Sequence, residues 1–92
     1  MNKCLLVTVS LRKYSEDLVI YIQKSAKANR IEGTIRALDK GTLEIIACSD
    51  DDNLDKFIDD IYKGYKSDKP ISVEIEPFLK DRDYRGVFRI IE

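Results

Sequence analysis

Two runs rich in β-branched residues, 31–38 and 42–48, are separated only by Asp39, Lys40 and Gly41, and that spacing commits the middle of the chain to a β-hairpin. Gly41 is the residue able to supply the positive φ of a short turn. A hairpin buries one face only when something packs against it, so the flanking segments decide the fold.

Upstream, Leu5, Val7 and Val9 alternate with Leu6, Thr8 and Ser10, the period of a strand with one more apolar face. The pattern breaks at Leu11, Arg12, Lys13 and Tyr14, and Ser15 followed by Glu16 and Asp17 then reads as an N-cap with acids in the first helical turn. Leu18, Ile22, Ser25, Ala26 and Asn29 form one narrow stripe of that helix, which is expected to end near Asn29. Downstream, residues 49–53 offer capping side chains, and Leu54, Phe57, Ile58, Ile61, Tyr62 and Tyr65 recur at helical spacing. Ile71, Val73 and Ile75 alternate as a fourth strand, and residues 87–91 are predicted to form a short fifth at an edge. The order strand, helix, strand, strand, helix, strand defines an α+β, ferredoxin-like βαββαβ sandwich, with two helices on one face of an antiparallel sheet. Residues 1–92 read as one domain.

Composition narrows the function. Sixteen basic against 17 acidic residues leave a net charge of −1, which steers the chain toward neither nucleic acid nor anionic lipid. No apolar run exceeds strand length, so no membrane span or signal peptide is expected, and a cytoplasmic protein is the simplest reading. There is no histidine, which closes the usual zinc and general-base chemistries, and no cofactor or metal is expected. Cys4 and Cys48 show no metal or redox spacing and read as free thiols. Strand topology nevertheless puts them on one face at one end of the sheet, where a redox pair is geometrically conceivable. Asp50, Asp51 and Asp52 are consecutive and cannot converge as calcium ligands do, so they read as a helix cap.

The hairpin resembles the Gly-x-Val-Arg-Asn-x-x-Asp-Gly-x-Val-Glu segment of the acylphosphatase family, with Gly33, Arg36 and Gly41 in place and Ala37 where the family has asparagine. The resemblance extends over residues 5–91. Ala26, Leu54, Phe57, Ile58 and Gly64 fall on the helix patterns, and residues 84–90 resemble the closing strand. The family's Val-x-Gly-x-Val-Gln-Gly-Val-x-Phe-Arg loop aligns with residues 9–19, which puts Val19 at the arginine position. What the resemblance implies is a phosphate cradle at Leu11, Arg12, Lys13, Tyr14, Ser15, Glu16 and Asp17, with a clamping arginine and a water-orienting asparagine that this chain lacks. A valine offers no bidentate clamp, and an alanine methyl orients no water. Leu11 and Ser15 stand where glycines let amides converge on an anion, and Glu16 and Asp17 bring negative charge to the same place.

The expectation is therefore an acylphosphatase-like protein that has lost acyl phosphate hydrolysis and acts as a small binding or interaction module. The alternative is a divergent but active acylphosphatase in which Arg12 or Lys13 supplies charge. Against the functional readings, Val19 can simply widen the apolar helix face, Glu16 and Asp17 can be ordinary helix-start acids, and Arg36 can pair with an acid on the opposite sheet face. RNA binding through the sheet is disfavoured, because the outward positions Leu6, Thr8, Glu44 and Ile46 include no aromatic. The partner is an unidentified small molecule or protein, and the chain is either a monomer or a weak homodimer through the sheet face.

Overall fold

The computed structural model describes residues 2–79 and 84–91. The elements run β1 (Lys3–Ser10), α1 (Glu16–Ala28), β2 (Glu32–Asp39), β3 (Thr42–Ser49), α2 (Asp51–Lys63), β4 (Ser72–Pro77) and β5 (Phe88–Ile91). One five-stranded sheet takes the order β4-β1-β3-β2-β5. The first four strands pair antiparallel as expected, whereas β5 joins β2 in parallel. The sheet is mixed because the chain leaves β4 at one edge and returns at the far edge, running in the same direction as β2.

Alternation along the strands sorts the side chains by face. Val7, Val9, Ile35, Leu43, Ile45 and Ala47 point to the helix side and are fully buried. Leu18, Val19, Ile22 and Ala26 of α1 meet them, with Leu54, Phe57 and Ile61 of α2, in one contiguous core. β5 is fastened to that core by Phe88, whose ring meets Phe57 edge-on with centroids 5.9 Å apart. The helices are tied by polar contacts too. The Ser25 hydroxyl donates to the Asp60 carboxylate at 2.6 Å, and the Tyr21 hydroxyl donates to the Asp60 carbonyl at 3.0 Å. Burial raises the Tyr21 phenol above its ordinary pKa, and the Asp60 carboxylate adds to the rise.

Capping follows the sequence closely. Ser15 and Asp50 are the N-caps, Asp50 accepting from the Asn53 N–H at 2.8 Å, so the aspartate run opens a helix as expected. The hairpin turn works differently from expectation. Gly41 does not adopt a positive φ. Instead the Asp39 carboxylate accepts the Gly41 N–H at 2.8 Å, and a bulge between Ala37 and Asp39 sets one extra residue into β2 just before the turn.

The expectation of free thiols at Cys4 and Cys48 is corrected: the two form a disulfide. The physical reason is register. Cys4 lies directly opposite Cys48 in the β1–β3 ladder, on the face away from the helices, with Cα atoms 4.1 Å apart. The bridge closes a loop of 44 residues, so the chain-entropy model assigns it about 4 kcal/mol of stability. Adding a phosphine reductant is expected to lower the urea denaturation midpoint by that amount divided by the m-value. An unchanged midpoint would mean that the pair is open in solution.

Candidate functional site

The loop between β1 and α1 is anchored at both ends. The Leu11 N–H donates to the Gly41 carbonyl at 2.7 Å, which pins the loop to the hairpin turn, and the Leu11 side chain is buried. At the other end the Ser15 hydroxyl accepts the Leu18 N–H at 3.2 Å and donates to the Asp68 carboxylate at 2.8 Å. One hydroxyl thus caps α1 and holds the connection after α2. Replacing Ser15 by Ala removes both bonds and is expected to cost about 1–2 kcal/mol, read as a lower urea midpoint. A cost below a few tenths would show that neither bond persists in water.

The loop separates two clefts. On the hairpin side, a cleft of about 360 Å³ is lined by Tyr14, Glu16, Val19 and Ile20 against Ile35, Ala37, Ile90 and Ile91. Val19 and Ala37, 18 positions apart in sequence, therefore face the same space. Val19 is only 4% exposed and packs into the core, which bears out its reading as an extension of the apolar helix face. Arg36 also borders this cleft, but its guanidinium Nε sits 3.0 Å from Glu44 Oε1. Glu44 alternates with the buried Leu43 and Ile45, so the pair lies on the opposite sheet face, as the strand period predicts. The ionised side chain left at the cleft is Glu16, at the N-terminus of α1. An apolar floor beside a carboxylate suits an uncharged or cationic group better than a phosphate dianion.

On the other side, Leu11, Arg12, Lys13 and Ser15 line a second cleft of about 580 Å³ with Ser67, Asp68 and Lys69. Arg12 and Lys13 are exposed. Lys13 and Tyr14 also border a shallow depression with Ala37, Asp39 and Lys40. The seven loop positions singled out in the sequence therefore do not converge on one point. Tyr14 and Glu16 join Val19 and Ala37, Leu11, Arg12, Lys13 and Ser15 face the second cleft, and Asp17 is exposed outside both. Sequence reasoning did not find Ile20, Ile90 and Ile91 in the first cleft or Ser67, Asp68 and Lys69 in the second. Ser15 and Asp68 are 53 residues apart, and no local pattern carries a contact of that span.

This arrangement of two helices on a five-stranded sheet, with a loop–helix junction facing a hairpin, has close counterparts. The sequence profile of the family described as Acylphosphatase matches residues 20–90, well over half of the chain. The chain belongs to the acylphosphatase family. The matched segment includes Ala37 and begins one residue after Val19. An acylphosphatase of Listeria monocytogenes is 53% identical over 34 residues, a stretch covering 37% of this chain and 37% of the relative. The aligned segment thus spans little more than a third of that relative's length. Among solved structures, an acylphosphatase from Coxiella burnetii superposes with a TM-score of 0.87 at 23% identity, covering 98% of this chain and 93% of that one. The acylphosphatase from Bacillus subtilis gives 0.83 at 19% identity, with both chains covered completely. At these identities the likeness establishes the fold alone. Among the described residues, no helix of this acylphosphatase-family chain is long and apolar enough to cross a membrane.

Proposed function

We propose that this acylphosphatase-family chain does not hydrolyse acyl phosphates at the rate its fold suggests and serves as a small binding module. The observation that carries the reading is the meeting of Val19 and Ala37 in one cleft whose charged lining residues are Glu16 and an Arg36 already paired with Glu44. The resemblance puts an arginine and an asparagine at those two positions, and neither replacement can clamp an anion or orient water. Arg36, the nearest guanidinium along the strand, is engaged by Glu44. In the cytoplasmic setting the sequence suggests, thiol pools would open the Cys4–Cys48 bridge, and strand pairing alone would hold the β1–β3 register.

A second reading keeps the enzyme, supported by Arg12, Lys13 and Lys69 around the neighbouring cleft. Three cations there could hold an acyl phosphate dianion, with water cleaving the mixed anhydride to carboxylate and inorganic phosphate. Hydrolysis of acetyl phosphate by the purified chain decides between the two. Turnover comparable to a working family member would overturn the binding-module reading. If that turnover then fell with Arg12→Ala and Lys13→Ala, catalysis would be located in the second cleft.

A further inference from the structure

We infer that the sheet face turned away from the helices binds a second copy of this chain, with the two-fold axis parallel to the strands. The ladders fix which side chains form that face. One row across the sheet reads Glu76, Leu6, Ile46, Thr34 and Arg89, and the next reads Glu74, Thr8, Glu44, Arg36 and Ile91. Leu6 and Ile46 are partly exposed and stand outside the buried core, which makes the middle of the face apolar. Charge is sorted to the two edges. Glu74 and Glu76 lie on β4, Arg89 lies on β5, and all three are exposed.

That sorting selects one way of stacking two sheets. A two-fold axis along β3 lays each β4 over the partner's β5, so Glu76 faces Arg89 and Ile46 faces Ile46. An axis across the strands would lay β4 over β4 and set glutamates against glutamates. Near the favoured axis Glu44 approaches its own copy, but each Glu44 is already held by Arg36 at 3.0 Å, so the centre presents two neutral pairs. Glu32 and Asp39, the other acids of this face, accept the Gly86 N–H and the Gly41 N–H, each at 2.8 Å, at opposite ends of the sheet. Strands of six, eight, eight, eight and four residues at ~3.3 Å rise and ~4.8 Å spacing, with Thr34 and Cys48 of this face already buried, offer roughly 500 Å² a side at most, which falls below stable interfaces and fits only a weak, salt-sensitive dimer.

Sedimentation equilibrium of the full chain, across protein concentration and at low and high salt, tests it. The expected result is a monomer–dimer equilibrium that weakens as salt rises. Glu76→Lys or Arg89→Glu alone is expected to weaken association at least tenfold, because each change turns two symmetry-related attractions into repulsions. The double reversal is expected to restore it to near the parent value. Both positions are exposed, so far-UV circular dichroism should report an unchanged fold. A strict monomer at all concentrations, single reversals without effect, or a double reversal no better than either single one would each overturn the inference.

Discussion

Acetyl phosphate is expected to turn over on this chain about 10⁴- to 10⁶-fold more slowly than on a family member with arginine and asparagine at the positions of Val19 and Ala37. Each missing contact acts where charge develops or where water must be aligned, and such contacts contribute about 10²–10³ apiece when removed singly. Two independent losses multiply to the stated range, while coupling between them would pull it toward the lower end. Glu16 pushes in the same direction, since its carboxylate lines the cleft that a dianion would have to enter. The Val19→Arg, Ala37→Asn double variant separates the causes. An arginine introduced at the 4%-exposed position 19 lies one helical turn from Glu16 and would be drawn into an ion pair with it. Little gain is therefore expected until Glu16→Gln is added, after which the rate should rise by about 10²-fold or more if the loop amides still converge. A triple variant as slow as the parent would place the deficit in the loop, where Leu11 is buried and Ser15 is tied to Asp68. A parent rate comparable to a working member would refute the whole account.

Features carried by local periodicity were legible before the structure. The two-residue alternation of Val7 and Val9 and the helical spacing of Leu54, Phe57 and Ile61 placed these side chains in the core, where they are buried. Ser15 and Asp50 announced their helices because an N-cap needs only an oxygen side chain within three residues of its N–H. The turn at Gly41 was misread because glycine permits a positive φ without requiring one, and Asp39 offered the backbone another partner. The disulfide shows a different limit. Strand order already put Cys4 and Cys48 on one face, but whether two facing thiols close depends on one-residue register. The cleft was legible only through the family resemblance. That likeness named positions 19 and 37, whereas the split of the loop between two clefts depends on contacts such as Ser15 with Asp68, across 53 residues.

Gly33→Ala is expected to destroy the cooperative fold, with a loss of about 5 kcal/mol or more, comparable to the whole stability of a small domain. Gly33 lies in β2 at φ 145°, a conformation that residues with a Cβ rarely adopt. Space is the harsher constraint. A Cβ at this position would overlap the Ile46 carbonyl oxygen and stand 2.7 Å from its carbonyl carbon, both of them backbone atoms of the paired strand that no rotamer change can move. Relief requires β2 to withdraw from β3. That movement would disturb the pairing of Gly33 with Ala47 and with Phe88, and the 2.9 Å bond from the Gly33 N–H to the Val87 carbonyl. Phe88 is the ring that anchors β5 against Phe57, so the damage reaches the core and the wall of the first cleft together. Gly86 provides the control. It has φ 69° but nothing within 4 Å of an added Cβ, so Gly86→Ala should cost only the conformational penalty of about 1–2 kcal/mol. Urea denaturation followed by circular dichroism is expected to show a shifted but sharp transition for Gly86→Ala and no native baseline for Gly33→Ala. Equal shifts for the two would mean that the strands can part without cost, and the close approach of β2 to β3 would then not be what Gly33 is there to permit.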